Sequence, residues 1–437
     1  MAINKSLTVH GGKVCTGACT YCSAASSQNY LQPQLFLEKD KWPAFLRHVE
    51  ETQAKTAKYD WDNFVKTWNN DRYVIQELEA AKKQNRNPEC HFDIWYFNPM
   101  SAFSVMKTVV NKMKELFPEW KFSFSTSDNG VGILGLDDPH EKLDWLIENN
   151  ITLQLSHDGY GEWLRMPFDP LVEEPYASLW MEALEKGVWT STNCTLSFYN
   201  YSFFKNLEYF NKILNKSNRV HYLKLNHVYD SDYNIEAINV DGRWQDTTIE
   251  ELKGKPIGKW QLHNGENEWD KHVLDDYIQE FIHLALLCKD PTQMNNLNLK
   301  HVRAYITEQA SRFRFLKSHD EKVGACRAFQ RFQHSIGDPK GWDDQTFVID
   351  TLGKYSVCNL IDSDYDVENP GGVQPEYCKG CKYELAAECN GCGSKNFPSK
   401  CEYSYRFEQA LEMLSWVNGY TGGIKKDLKN RIFSIIK

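Results

Sequence analysis

The chain has 437 residues, 41% hydrophobic, 25% charged and 14% aromatic, a composition that supplies a large core and a length that suits a catalytic domain plus a smaller one, which excludes general disorder. A formal net charge of −9 excludes a uniformly basic surface for nucleic acid. No apolar run reaches the roughly 18 residues of a membrane span, and Met1 to Val9 lacks the features of a signal peptide, so neither a membrane nor a nucleic-acid partner is expected and the cytoplasm is the expected compartment.

The predicted elements alternate strand and helix over the first two-thirds of the chain, the pattern of parallel strands joined by crossover helices. Ser6 to His10 reads as a short strand that runs into a cysteine loop. Phe64, Trp68, Ile75 and Leu78 recur at helical spacing and predict one crossover helix between Trp61 and Lys83. Phe92, Ile94 and Tyr96 alternate as a second strand ended by Asn98-Pro99, and Met106, Val109, Val110, Met113 and Leu116 mark the next helix. Strands then fall at Lys121–Thr126, Ile151–Ser156, Trp189–Ser197 and Arg219–Asn226, with helices at His140–Asn149, Leu171–Lys186 and Phe203–Leu214. Six such strands fit a partial barrel, and an open doubly wound sheet fits the same α/β pattern.

From Val228 to about Lys271 the chain is polar and reads as an insertion or lid, followed by helices near Val273–Cys288 and Leu299–Phe315. The expected organisation is a barrel domain over 1–227, an insertion and helical bridge over 228–325, and a cysteine-rich α+β domain over 326–437. Within the last, Thr346–Ile349 and Tyr355–Cys358 predict a hairpin turning at Gly353. The basic tail Lys425, Lys426, Lys429, Arg431 and Lys437 reads as the solvated face of a terminal helix, with a binding arm as the alternative.

Thirteen cysteines in a chain without an export signal point to metal or redox chemistry more than to disulfides. Cys90, Cys194 and Cys288 stand alone in apolar patterns and read as small buried hydrophobes. The segment Cys15-Thr-Gly-Ala-Cys19-Thr-Tyr-Cys22 is different: it sets three thiols within eight residues, just after a strand. Four thiolates saturate a cubane iron–sulfur cluster, and three leave one iron open to a ligand. A zinc site that borrows His10 as fourth donor is the alternative.

This motif resembles the signature of the radical S-adenosylmethionine superfamily, Cys-x3-Cys-x2-Cys after the first strand of a partial (β/α)6 barrel. The resemblance implies that Cys15, Cys19 and Cys22 hold a [4Fe–4S] cluster whose open iron binds S-adenosylmethionine, with Tyr21 beside it. Where the family has Gly-Gly-Glu-Pro after strand two, this chain has Tyr96-Phe97-Asn98-Pro99, and Asn98 can still accept a hydrogen bond through its carbonyl oxygen. Thr126-Ser-Asp-Asn-Gly130 is similar to the segment that approaches the ribose. Leu155-Ser156-His157-Asp158-Gly159 with Arg165 looks like the strand-four segment in which Ser and Arg contact the cofactor. Asp158 and the aromatics around Tyr96 are the candidate groups for the substrate end, and no acid or base is assigned.

Seven further cysteines, Cys326, Cys358, Cys378, Cys381, Cys389, Cys392 and Cys401, exceed one tetrahedral site. The series Gly353-x4-Cys358 and Cys378-x2-Cys381-x7-Cys389-x2-Cys392 resembles the SPASM extension, which carries two auxiliary [4Fe–4S] clusters, and a zinc ribbon is the alternative. By that resemblance Cys326, Cys358 and Cys392 hold an inner cluster, and Cys378, Cys381, Cys389 and Cys401 an outer one. The resemblance also implies hydrogen abstraction from a peptide or protein substrate, with flavodoxin or ferredoxin as electron donor. Only about 14 residues precede Cys15, so an N-terminal leader-recognition domain is not expected. Dehydrogenation or rearrangement of a small molecule is the second enzymatic reading, and a non-catalytic zinc or cluster protein the third.

Overall fold

The computed structural model describes residues 3–11, 42–95, 98–135, 137–166, 168–196, 200, 202–219, 221–227 and 347–356. In chain order these form β1 (Ile3–Thr8), α1 (Trp42–Thr56), α2 (Trp61–Asn70), α3 (Arg72–Lys83), β2 (Glu89–Trp95), α4 (Phe103–Leu116), β3 (Lys121–Asp128), α5 (Pro139–Glu148), β4 (Ile151–Ser156), α6 (Tyr176–Glu185), β5 (Trp189–Leu196), α7 (Phe203–Leu214), β6 (Tyr222–His227), β7 (Phe347–Asp350) and β8 (Tyr355–Ser356). All these strands lie in one sheet of order β6-β5-β4-β3-β2-β1-β7-β8. Every pair is parallel except β7 with β8.

This order decides between the two architectures that the pattern allows. A doubly wound sheet reverses its strand order at a switch point. Here β1 to β6 follow one another without reversal, and right-handed crossovers in a single direction put the intervening helices on one side. The fold is therefore α/β with an open parallel sheet of the partial-barrel kind. The predicted hairpin is present, its turn made by Gly353 at φ +74°. It adds to the free edge of β1, so the sheet runs past the six barrel strands.

One face of the sheet is apolar and packs on the helices. Leu7, Phe92, Ile94, Phe124, Leu153, Leu155, Cys194 and Leu223 are buried there with Trp68, Val109, Leu143, Trp180 and Phe210. Trp68 sits at the densest point, with ring centroids 5.1–5.5 Å from those of Phe92, Phe117 and Trp120. Cys90 and Cys194 are buried free thiols, as expected of small hydrophobes.

The single helix expected between Trp61 and Lys83 is instead two. Asp71 breaks it in extended conformation (φ −70°, ψ 123°), and its carboxylate caps α3 by accepting from the N–H groups of Tyr73 and Val74. The break resets the helical phase, so α3 buries Val74, Glu77 and Ala81 while Ile75 and Leu78 are exposed. Asp71 also forms a buried ion pair with Lys5 of β1 at 2.5 Å and accepts a hydrogen bond from the Tyr355 hydroxyl of β8. One carboxylate thus ties the first strand, the α2–α3 break and the hairpin.

The phase reset has a measurable consequence. Trp68→Ala is expected to cost about 3–5 kcal/mol in chemical denaturation, whereas Ile75→Ala should change stability by no more than about 0.5 kcal/mol. A continuous helix with Ile75 in its apolar stripe would make the second substitution costly as well.

Candidate active site at the carboxyl ends of the strands

Parallel β/α sheets present their functional groups at the carboxyl ends of the strands. Strand β1 reaches that end at His10 and Gly11, where Gly11 has φ +90° and a Cβ would lie 2.1 Å from the Thr56 carbonyl oxygen at the end of α1. Only glycine fits there. His10 donates its N–H to the Thr351 hydroxyl at 3.0 Å, and its Nδ1 lies 3.6 Å from Asp350. The segment with Cys15, Cys19, Tyr21 and Cys22 lies outside the described residues, between this pinned glycine and α1. Helix α1 in turn packs Phe45, Leu46 and Val49 against Val131, after β3, and Met166, after β4.

The seven C-terminal candidate ligands, Cys326, Cys358, Cys378, Cys381, Cys389, Cys392 and Cys401, also lie outside the described residues. So do Tyr96 and Phe97. Among the described residues no group of three or more His, Cys, Asp or Glu side chains is arranged to hold a metal ion.

Asn98, after β2, is buried with φ +49°, a left-handed conformation that asparagine tolerates better than most residues. Its backbone carbonyl oxygen accepts from the N–H groups of Ser101 and Ala102, closing a tight turn into α4. On β3, the Thr126 hydroxyl donates to the Ile94 carbonyl of β2 at 2.8 Å. Two residues on, buried Asp128 accepts from the N–H of Met100 at 2.9 Å and of Gly130 at 2.8 Å. Burial pushes its carboxyl pKa up, and these two N–H groups pull it back in part. Ser156 ends β4 on the opposite face of the sheet, in register with Asn193 of β5 and half-buried.

The loop after β4 is a buried polar cluster. Asp158, fully buried, accepts from the Thr195 N–H of β5 at 2.9 Å, and its backbone carbonyl oxygen accepts from the Asn200 amide at 3.0 Å. The Arg165 guanidinium lies 3.6 Å from Asp158 and 3.8 Å from Glu162, so its charge is met inside the protein. Glu162 accepts from the Asp158 N–H at 2.7 Å. His157 accepts from the Gly159 N–H and bonds Asp169 at 2.9 Å, and Asp169 also accepts from the Tyr209 hydroxyl of α7. Burial alone would lower the His157 pKa, but Glu162, Asp169 and Asp158 around it raise it. Burial raises that of Glu162, against the pull of His157 and Arg165.

A second polar array was not singled out from the sequence. On the face away from the helices, Ser123 bonds His91 Nδ1 and Ser125 bonds His91 Nε2, each at 2.9 Å, and the Ser125 hydroxyl donates to Asp93 at 3.0 Å. Beside them the Ser127 hydroxyl donates to Gln154 at 3.0 Å, and the Gln154 amide to Ser191 at 3.3 Å. These side chains cross β2 to β5 and are half-buried. Their signal is the alternate polar positions of the strands, His91 and Asp93, Ser123 to Ser127, Thr152 to Ser156 and Ser191 to Thr195.

No protein-family model and no curated protein matches the chain. Solved structures do align with it. Native anSMEcpe with bound AdoMet and Cp18Cys peptide is 14% identical over 99% of both chains, with a TM-score of 0.43. Native anSMEcpe with bound AdoMet is 13% identical over 98% of this chain and 99% of that one, with a TM-score of 0.42. Streptococcus suis SuiB bound to S-adenosylmethionine is 12% identical over 90% of this chain and 71% of that one, with a TM-score of 0.34.

The β4 cluster makes stability depend on pH in a defined direction. Glu162 has a raised pKa in the folded chain, so its contribution to stability is full below its unfolded pKa and is lost as pH rises through the folded one. Denaturation midpoints are expected to fall between about pH 5 and about pH 8, and Glu162→Gln should flatten that slope. An unchanged slope in the variant would remove Glu162 from the account.

Proposed function

We propose that the chain is a radical S-adenosylmethionine enzyme that abstracts hydrogen from a peptide or protein substrate. The observation that carries this reading is the position of the two described flanks of the Cys15-x3-Cys19-x2-Cys22 segment. Gly11 lies three residues beyond the end of β1, and α1 packs on the loops after β3 and β4, so both flanks lie at the carboxyl end of a partial-barrel sheet. Three thiolates from the intervening segment would leave an iron of a [4Fe–4S] cluster open.

The residues at the ends of β2, β3 and β4 suit S-adenosylmethionine in kind and spacing. Adjacent strands lie about 4.8 Å apart, so the ends of β2, β3 and β4 span about 10 Å, a distance that matches a nucleoside. Asn98 and Ser156 would bind its polar groups, Thr126 would set the β2–β3 spacing beside the ribose, and Tyr21 would flank the cluster. Arg165 would act through Asp158 and Glu162, which already meet its charge. Bound together, the cluster and S-adenosylmethionine supply a 5′-deoxyadenosyl radical that takes hydrogen from an unactivated C–H bond.

Around that chemistry the chain's own residues exclude water and orient. The buried β4 loop and the α1 contacts cover part of the strand ends, and the half-buried array His91, Asp93, Ser125 and Gln154 offers hydrogen-bonding groups that suit a peptide's amides. The C-terminal cysteines are assigned to two auxiliary clusters, an inner one on Cys326, Cys358 and Cys392 and an outer one on Cys378, Cys381, Cys389 and Cys401, in a domain over 326–437. Flavodoxin or ferredoxin would supply electrons in the cytoplasm. Among the described residues no helix is long and apolar enough to cross a membrane.

Anaerobically reconstituted protein given dithionite and S-adenosylmethionine is expected to release 5′-deoxyadenosine, and Cys19→Ala to release none. Cys389→Ala should lower the iron content from about twelve per chain while sparing that cleavage. Absence of 5′-deoxyadenosine from the reconstituted wild-type protein would overturn the reading.

A further inference from the structure

The peptide unit of Met100 is held from both ends by buried charges. Its N–H donates to Asp128 at 2.9 Å, and its carbonyl oxygen accepts from Lys142 Nζ of α5 at 3.4 Å. The same two side chains grip the neighbouring turn, where Asp128 accepts from the Gly130 N–H at 2.8 Å and Lys142 donates to the Gly132 carbonyl at 2.9 Å. Asp128 is 2% exposed and Lys142 1%. The turns themselves touch, because a Cβ on Gly132 would lie 2.2 Å from the Ser101 nitrogen.

Asp128 and Lys142 thus form a buried pair of opposite charges that meet through the backbone of two strand-end turns. Burying an ammonium group is costly unless it is well satisfied, and an apolar residue would fill the same space at less expense. A lysine that gives its N–H groups to carbonyl oxygens of both turns fixes their relative position. The first of these turns begins at Asn98, whose backbone carbonyl oxygen accepts from Ser101, and the second follows directly on the strand that carries Thr126.

We propose that Lys142 and Asp128 are positioning residues that hold Asn98, and the β2–β3 spacing set by Thr126, in register for the methionine and ribose parts of S-adenosylmethionine. The inference rests on the function proposed above and adds to it two residues, one of them on a helix behind the sheet. It also predicts a pH signature. Burial holds the Lys142 pKa down at about 8, against Asp137, Glu50 of α1 and Asp128, which raise it, and Lys107 of α4, which lowers it further. Loss of that proton removes the charge from the clamp.

The test measures the dissociation constant of S-adenosylmethionine by calorimetry on anaerobically reconstituted protein, alongside the rate of 5′-deoxyadenosine release at saturation. Lys142→Met is expected to weaken binding about tenfold, with the saturated rate within about twofold of wild type and the iron content unchanged. As pH is raised from about 7 to about 9, wild-type affinity should fall relative to that of the variant, so that the tenfold gap narrows as Lys142 loses its charge. Asp128→Asn, which keeps the shape and loses one acceptor, should weaken binding in the same way and carries the test if Lys142→Met does not fold. A variant that lowers the melting temperature yet binds as wild type at every pH would overturn the positioning role alone. Wild-type protein that binds no S-adenosylmethionine would overturn both this role and the proposed function.

Discussion

Loops that are buried at the ends of a parallel sheet must find partners for their backbone N–H and C=O groups, and this requirement shapes the whole candidate site. The solution is consistent from strand to strand: a buried charged or amide side chain takes the backbone of the neighbouring loop. Asp128 of β3 holds the turn after β2, and Asp158 after β4 holds the N–H of Thr195 on β5. Asn206 of α7 donates to the carbonyl oxygens of Asn200 and Ser202, so these two positions after β5 are tied to α7 as well. The ends of β2 and β5 are thus each tied to a neighbouring strand's loop or side chain.

The same logic operates at the first strand with a different purpose. Asp71 satisfies the first N–H groups of α3, neutralises Lys5 and accepts from Tyr355. The hairpin is further held where Gly353 meets the backbone of α2, since a Cβ there would lie 2.6 Å from the Phe64 nitrogen. The hairpin that leads towards Cys358 and the later cysteines is thereby anchored on the strand that precedes the N-terminal ones, although more than 300 residues separate them in sequence.

Much of the fold is legible in the sequence because burial on the helix side of the sheet is strict. Ile151–Ser156 and Phe203–Leu214 read directly from their periodicity. The helix between Trp61 and Lys83 does not, because Asp71 looks like one more polar residue on a helical face until its role as cap and ion-pair partner of Lys5 is known. Strand order is tertiary information, which is why periodicity alone leaves the barrel and the doubly wound sheet equivalent. Of the residues proposed for the site, Asn98 and Ser156 are legible through motif position. Lys142 and Asp128 are not, since a lysine on an amphipathic helix ordinarily reads as solvent-facing. The His91–Ser125–Asp93 array is hidden for a related reason: alternate polar residues on a strand read as a water-exposed face.

The proposed chemistry requires that S-adenosylmethionine ligate an iron held by Cys15, Cys19 and Cys22. Electron paramagnetic resonance of the anaerobically reconstituted, dithionite-reduced protein addresses this directly. Adding S-adenosylmethionine is predicted to change the cluster signal of the wild-type chain and to leave that of Cys19→Ala unchanged. A wild-type signal indifferent to S-adenosylmethionine would contradict the account.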